Sequence, residues 1–458
     1  MHFSPTDPSP TSPSNAASPP AASITRDWTC PFCALLCDDL AVESRDGGTL
    51  AAPATECSRL AQALACYGAA DAHCACSVGA DDTDLDTALA RAAQILAAAR
   101  RPLFGSLTTD VAGARALYAL AAECGAILDH LHGDALSAAT LALQDRGAFF
   151  TTLSEVRTRA DLLVFFGCQP SRRYPRFFAR TLAGTGAARE LVFVGCQPDP
   201  AAHGLANARV ESILHDADPF DTLALWSALS EGREPAALRG APADASASVA
   251  ALQARVAAAR YAVLVYEPAA LPGPHAALLI EALHRIVKAA NRTARAGCLA
   301  LGGDDGALAV NQTVTWLSGL PLRTHVTAPP RVNGTVALDH DPYRYRTARL
   351  LANGEIDALL WVASFAPPAG LPDPQPGVPT IVLGHPALAQ AAKARGGATV
   401  FIPVATPGID SGGHLFRTDG PVVTPLAAAR RVPLPTVAAL AAQLAERLQA
   451  QHAVQGRS

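Results

Sequence analysis

Short apolar runs alternate with longer helical patterns through most of the chain. Residues 81–100, DDTDLDTALARAAQILAAAR, begin with acidic residues and continue with apolar residues at helical spacing. A short apolar run, PLFGSL, follows them. Similar runs return in ADLLVFFG, ELVFVG, YAVLVYEP, CLALGG, DALLWVAS, PTIVLGH and ATVFIPV. Runs of this length, ended by glycine, proline or a polar turn, are typical of parallel strands connected by crossover helices. The pattern therefore predicts an α/β fold with two doubly wound parallel-sheet domains.

Two N-terminal segments depart from this alternation. Residues 1–27 are rich in proline, serine and alanine and have almost no large apolar residue. They cannot bury enough surface to offset the entropy of ordering, so we expect a disordered tail. Residues 28–80 hold seven of the eleven cysteines and show little periodicity. This segment is therefore predicted to be a small, loop-rich domain organised by a metal.

The strongest chemical motif is a set of four cysteines. Cys30, Cys33 and Cys37 follow the spacing C-x2-C-x3-C, and Cys57 stands in a separate segment. Three thiolates on one short loop can wrap one face of a [4Fe–4S] cube, and a fourth then closes the site. A zinc site is a second interpretation, although zinc more often takes two C-x2-C pairs or cysteines with histidines. A degenerate, empty site is the third.

A second group of thiols lies slightly further along the chain. Cys66, Cys74 and Cys76, with His73, could form another metal site. Free cysteines are among the most often buried residues, so structural or incidental thiols are the simpler interpretation.

Two predicted strands end in a shared signature, VFFGCQP and VFVGCQPDP. Loops at the carboxyl ends of parallel strands are where open α/β sheets bind ligands. Gly167–Pro170 and Gly195–Pro200 could therefore hold a dinucleotide-like phosphate, or they could be plain strand-ending turns. Arg172, Arg173 and Arg176 follow the first loop and could meet phosphate or carboxylate, or form a solvated helix face.

Composition narrows the class of protein. A length of 458 residues, half of them hydrophobic and 17% charged, fits a globular chain of two or three domains. The net charge of −4 and the lack of a basic stripe argue against a nucleic-acid or anionic-membrane partner. No apolar run approaches the roughly 18 residues of a membrane span. No secretory signal is evident, so we expect a cytoplasmic protein, in which cysteine clusters more often bind metal than form disulfides.

Several stretches together resemble the B subunit of formylmethanofuran dehydrogenase, a member of the molybdopterin oxidoreductases. They are CPFCALLCDD, ALQDRGAFFTTLSEVRTRADLLVFFGCQP, NQTVTWLSGLP and FIPVATPGIDSGGHLFRTDGP. The resemblance extends from Thr29 to about Pro425 and implies an α/β fold of the molybdopterin oxidoreductase type. The expected domains are an Fe–S-type domain at 28–80, a discontinuous α/β domain at 81–133 and 335–430, an inserted α/β domain at 134–334, and a C-terminal helix and tail at 431–458.

The resemblance also implies cofactors. The four cysteines would ligate a [4Fe–4S] cluster, and a tungsten or molybdenum bis-pterin would lie between the α/β domains. Arg59 stands where the wider superfamily often has a basic residue between cluster and pterin. Gly167, Gln169 and Pro170 would face a pterin guanine nucleotide, although Gln169 stands where asparagine is expected.

One departure from the family concerns the metal ligand. Active members place a Cys-His pair upstream of the segment ALQD, and that cysteine ligates the metal, whereas this chain has Ala135 and Leu136. A methyl group cannot ligate tungsten, and leucine cannot move a proton. His130 and His132 are the nearest chemical substitutes, after a shift in register. We therefore expect no catalytic residue here and no Mo/W-bis-pterin.

This pattern resembles the bacterial counterpart of the family, which sits in a formyltransferase/hydrolase complex. That complex moves a formyl group from tetrahydromethanopterin to a methanofuran-type carrier and hydrolyses it to formate, on other subunits. The resemblance thus implies a redox-silent structural subunit of one-carbon metabolism, with the other subunits of the complex as partners. An active dehydrogenase subunit, with Mo/W-bis-pterin and cluster, is one alternative. A nucleotide-binding module that uses the strand-end loops is another.

Overall fold

The computed structural model describes residues 23–45, 48–233, 243–326, 337–420 and 422–455. Residues 1–22 of the predicted disordered tail lie outside these ranges. Residues 23–27, the end of that predicted tail, belong to a strand instead. Within the described ranges, no helix is both long and apolar enough to cross a bilayer. Two sheets with parallel cores, flanked by helices, confirm the predicted α/β class.

The N-terminal unit is a small antiparallel sheet followed by one helix. Its elements are β1 (Ser23–Trp28), β2 (Leu40–Ser44), β3 (Leu50–Ala51) and α1 (Ser58–Leu64). The loop between β1 and β2 carries the first three cysteines and closes through a bond from Cys30 N to Cys37 O of 2.9 Å. Trp28 is fully buried, and its indole Nε1 donates to Gly408 O at 2.8 Å. The unit is therefore fastened to the C-terminal part of the chain.

Within the described ranges, the larger sheet has nine strands. They are β4 (Cys76–Val78), β5 (Asp81–Thr83), β6 (Pro102–Thr108), β7 (Ile127–Leu128), β13 (Thr324–Val326), β14 (Leu338–His340), β15 (Ala358–Ala363), β16 (Thr380–Gly384) and β17 (Thr399–Pro403). Their order is β14-β13-β7-β6-β15-β16-β17-β4-β5, parallel from β7 to β17 and antiparallel at both edges. Every residue of β6 and β15 is buried, as expected for strands covered on both faces.

Helices from the described part of the chain pack around this sheet. They are α2 (Leu85–Ala98), α3 (Val111–Cys124), α11 (Ala307–Ser318), α12 (Thr347–Ala352), α13 (Ala389–Arg395) and α14 (Val437–Gln455). Helix α2 begins next to the acidic residues, as the sequence predicted. The Asp84 side chain accepts a hydrogen bond from Thr87 N at 2.9 Å and thereby caps the first turn. Leu89, Ala92 and Leu96 of α2 are buried in the main core.

The smaller sheet, as far as the structure describes the chain, has five parallel strands in the order β10-β9-β8-β11-β12. They are β8 (Leu162–Phe166), β9 (Arg189–Val194), β10 (Ala208–Ile213), β11 (Ala262–Tyr266) and β12 (Ala296–Ala300). The connecting helices are α4 (Gly133–Arg146), α5 (Leu153–Arg159), α6 (Pro170–Arg173), α7 (Phe177–Thr181), α8 (Pro219–Ser230), α9 (Ala243–Ala258) and α10 (Ala276–Ala290). A hairpin of β18 (Gly413–Phe416) and β19 (Val423–Leu426) follows the larger sheet.

Two sheet assignments differ from the predicted residue ranges. Strand β13 falls within the predicted insertion 134–334, but it pairs with β7 of the larger sheet. Strand β4 falls within the predicted segment 28–80, but it pairs with β17. Both have three residues and lie one strand in from an edge of the larger sheet, and they are too short for the hydrophobic pattern to reveal which sheet they join. The domain boundaries themselves stay predictions.

A single buried cation joins the N-terminal unit to the C-terminal part of the chain. Arg430 lies in the interior, and its Nε donates to Asp410 at 2.8 Å while its Nη2 donates to Asp71 at 2.6 Å. Its Nη1 donates to the carbonyl oxygens of Gly48 at 2.9 Å and Gly68 at 3.0 Å. Arg430 thus satisfies two buried carboxylates and two backbone acceptors at once.

Replacing Arg430 by methionine should destabilise the chain by about 3–5 kcal/mol, because Asp71 and Asp410 would stay buried without a cation. Urea unfolding of the full chain, followed by tryptophan fluorescence, measures the change. Arg431→Met, at the adjacent exposed position, is the matched control and should change stability by less than about 0.5 kcal/mol. Equal effects of the two substitutions would contradict this role of Arg430.

Candidate functional site

The four predicted cluster ligands lie near one another. Cys30, Cys33 and Cys37 are buried, and Cys57 is half-buried at the N-cap of α1. Burial raises the pKa of the Cys30 thiol, and the nearby Cys37 and Cys57 raise it further. Within the described ranges, no three or more His, Cys, Asp or Glu side chains form a ready site for a single metal ion. Four thiols without other ligand types fit an iron–sulfur cluster better than a hard cation.

A buried carboxylate, Asp304, lies beside the cysteine loop. Its Oδ2 accepts from Arg59 Nη1 at 3.0 Å and from Arg173 Nε at 2.7 Å. Its Oδ1 accepts from the backbone N of Ala34, within the cysteine loop, at 3.0 Å. Burial would raise the pKa of Asp304, but the two guanidinium groups outweigh it and lower the pKa. Arg173 also pairs with Glu267 at 2.8 Å. Arg59, predicted to lie between cluster and pterin, is therefore a counter-ion for Asp304.

The predicted pterin loop ends β8 and is tied to its neighbour. Gly167 has a φ of +60°, a left-handed conformation that favours glycine, and Pro170 opens α6. The side-chain amide of Gln169 donates to the carbonyl oxygens of Gln197 at 2.9 Å and Pro198 at 3.1 Å, in the matching loop after β9. The amide nitrogen of Gln169 is therefore used to join the two strand-end loops.

Ala135, where the resemblance implies a metal-ligating cysteine, lies in the first turn of α4. Ala135 is half-buried and lines a cavity of about 630 Å³ between α4 and the loop before α10. Leu136 faces the other way and packs against the core of the larger sheet. Two cations on the cavity wall are already paired, because Asp134 accepts from Arg323 at 2.6 Å and from Arg346 at 2.6 Å.

The two histidines considered as substitute ligands are held by protein contacts. His130 is buried, its Nδ1 accepts from His132 N at 3.0 Å, and its Nε2 bonds to Asp305 O at 3.2 Å. His132 Nε2 bonds to Asp305 Oδ2 at 2.7 Å. Burial and the nearby His132 lower the pKa of His130 to about 3. Both ring nitrogens of His130 are therefore occupied in this conformation, and so is one of His132.

The adjacent Asp304 and Asp305 link three parts of the site. Neither residue was among the site residues predicted from the sequence. Asp304 holds Arg59 and Arg173, while Asp305 holds the histidines that precede α4. The signal was the segment GGDDG directly after β12, in which two acids stand between glycines. Gly306 is required there, since an added Cβ would lie 2.0 Å from the carbonyl oxygen of Thr109.

Comparisons with known proteins agree on one family. No family model matches the chain. The B subunit of the formyltransferase/hydrolase complex Fhc of Methylorubrum extorquens is 31% identical over 337 residues, which cover 73% of this chain and 86% of the relative. The chain belongs to the family of this Fhc B subunit. The resemblance found in the sequence is thereby confirmed.

Other members and one solved structure extend this likeness. The B subunit of the tungsten-containing formylmethanofuran dehydrogenase 2 of Methanocaldococcus jannaschii is 25% identical over 427 residues, 87% of this chain and 92% of the relative. A chain of the crystal structure of the formyltransferase/hydrolase complex (FhcABCD) from Methylorubrum extorquens, in complex with methylofuran, matches with a TM-score of 0.66 and 27% identity. That match covers 83% of this chain and all of the other. These likenesses do not favour the nucleotide-binding alternative.

Asp304→Asn should destabilise this Fhc-family chain by about 2–4 kcal/mol, because Arg59 and Arg173 would lose the carboxylate that pairs with them. The range takes into account that solvent screens both arginine side chains, which are about a quarter exposed. The pKa of Asp304 is lower in the folded chain, so its contribution is complete above about pH 4 and is lost as the pH falls through the folded pKa. The variant should therefore lose less stability than the unmodified chain on acidification below about pH 4.

Urea unfolding of the Asp304→Asn variant and the unmodified chain, at neutral and acidic pH, measures both the loss of stability and its pH dependence. Asp86→Asn is the control, because Asp86 pairs with Arg447 at the surface and its side chain is 83% exposed. An effect of Asp304→Asn no larger than that of the control would show that Asp304 does not hold the site together.

Proposed function

We propose that this chain is a redox-silent structural subunit of a cytoplasmic formyltransferase/hydrolase complex, in tetrahydromethanopterin-linked conversion of formaldehyde to formate. Its partners are the other subunits of that complex. The observation that carries the proposal is Ala135, on the wall of the 630 Å³ cavity, where the resemblance implies a metal-ligating cysteine. An alanine methyl has no lone pair for a metal, so this position supplies no redox centre.

The charges around the site support this proposal. Arg59 and Arg173 are both committed to Asp304, and Arg323 and Arg346 are committed to Asp134. A bis-pterin with guanine nucleotides brings several phosphates that need cations. These arginines balance the protein's own carboxylates instead, which suits a site that no longer holds that cofactor.

In the proposal, the four cysteines have a structural role rather than a role in electron transfer. Their thiols would hold a [4Fe–4S] cluster, which supplies cross-links between the loop after β1 and the start of α1. The pKa values of Cys30 and Cys33 are raised by burial, so the free thiols stay protonated at neutral pH. Binding a cluster would therefore release protons from these cysteines, and their task is to fix the small N-terminal unit.

Metal and pterin analysis of the anaerobically purified complex tests the cofactor content. We expect about four irons per chain with a broad absorbance shoulder near roughly 400 nm. We expect no stoichiometric tungsten or molybdenum and no pterin fluorescence after acid oxidation. Stoichiometric metal together with pterin would overturn the redox-silent assignment, whereas missing iron would overturn only the cluster.

Cys33→Ser should remove the absorbance shoulder and lower the yield of assembled complex, because the small unit would lose its cross-link. Formyl transfer and hydrolysis per assembled complex should stay within about twofold, since other subunits carry that chemistry. Cys66→Ser, at a half-buried cysteine outside the four, is the matched control and should retain the iron. A loss of activity per assembled complex of about tenfold or more would contradict a structural role.

A further inference from the structure

A second cavity, of about 230 Å³, lies against the larger sheet between β6, β15 and α12. It adjoins the 630 Å³ cavity, but Ala135 is not on its wall. Strands β6 and β15 are neighbours in the sheet. From β6 the chain continues to β7 on one side of this pair, and from β15 it continues to β16 on the other side. Open α/β sheets bind ligands where the strand order reverses in this way, at the carboxyl ends of the strands. The cavity is thus placed where the fold favours a ligand.

Two donors on the cavity wall have no acceptor. Ser106 and Trp361 line the cavity and are 1% and 6% exposed. Among the residues the structure describes, neither Ser106 Oγ nor Trp361 Nε1 has a hydrogen-bond partner. The Trp361 ring is fixed against Gly105, where an added Cβ would lie 3.0 Å from it. A buried donor without a partner is costly, so such groups in a folded protein call for an explanation.

The backbone at Ser106 is also unusual. Ser106 and Leu107 are consecutive non-glycine residues with φ values of +63° and +44°. The pairing of β6 with β15 shifts register at the same place, between Trp361 and Ala363. Left-handed backbone at non-glycine residues is unfavourable and concentrates at binding and active sites. This distortion thus falls at a residue that lines the cavity.

The two carboxylates on the cavity wall are already paired. Asp129 Oδ1 accepts from Arg323 Nε at 3.3 Å, and Asp129 Oδ2 accepts from both N and Oγ1 of Thr347 at 2.8 Å. Asp134 accepts from Arg323 and Arg346. The wall therefore offers unpaired donors while its carboxylates are occupied, and the N-terminus of the 14-residue helix α4 lies beside it. These features suit a group that only accepts hydrogen bonds and carries negative charge.

We propose that this cavity binds a small oxyanion, a carboxylate or phosphate group, through Ser106 Oγ–H and Trp361 Nε1–H. A volume of about 230 Å³ suits a group of a few heavy atoms rather than a nucleotide. The proposal does not depend on the function of the complex, because it rests on donors, strain and cavity alone.

Calorimetric titration of the full chain tests the proposal at constant ionic strength. Acetate or inorganic phosphate should bind saturably, and acetamide and chloride should not. Acetate binding alone would identify a carboxylate ligand, and phosphate binding alone a phosphate ligand. Trp361→Phe removes the N–H but keeps an aromatic ring, so it should weaken anion binding about tenfold or more. Trp316→Phe, at a 68% exposed tryptophan, is the matched control and should bind as the unmodified chain does.

Ser106→Ala gives a second test if Trp361→Phe does not fold, because it removes only a hydroxyl, and it too should weaken binding. Circular dichroism and the melting temperature of each variant separate lost binding from lost folding. Unchanged affinity in folded variants would overturn the proposal. So would the absence of saturable binding of either anion to the unmodified chain, or a crystal structure at high anion concentration with only ordered water in the cavity.

Discussion

A carboxylate stays charged inside a protein only where cations and N–H groups surround it. Asp304 meets this condition with groups from three separate parts of the chain: Arg59 from α1, Arg173 from α6 and the backbone of Ala34 in the cysteine loop. None of these partners could move far without exposing an unbalanced buried charge. The relative position of the cysteine loop, the smaller sheet and the turn after β12 therefore follows from one electrostatic requirement.

The same requirement explains how the fold can persist without the metal ligand that the resemblance implies at Ala135. Ala135 and Leu136 lie in the first turn of α4, where alanine and leucine are favourable helix residues. Leu136 gains core contacts that a histidine would make less well. The charges that hold the surrounding elements are balanced by Asp134 and Asp304, not by a bound group. An alanine at this position thus offers no metal-ligating atom, while the supporting contacts remain.

Local patterns in the sequence predicted the parts of this structure that depend on local physics. Strands such as β8 and β15 are buried on both faces, so they appear as continuous apolar runs. The cysteine spacing lies within one loop and is equally visible. The pairing of Arg59 with Asp304 joins residues 245 positions apart. It could not be predicted, because neither residue stands in a motif that indicates the other as its partner. The sheet to which the short strands β4 and β13 belong was not predicted for a related reason, since a three-residue strand has no period.

The bond from the Trp28 indole to Gly408 spans 380 residues, and Arg430 closes the same unit from a position later still. Domains usually begin to fold as they leave the ribosome, N-terminal part first. The N-terminal unit of this chain cannot do so completely, because Gly408, which accepts from Trp28, is synthesised 380 residues later. We therefore expect its cysteine loop to stay open until the segment that carries Gly408 and Arg430 has been synthesised. The order of synthesis thereby delays the closure of this loop.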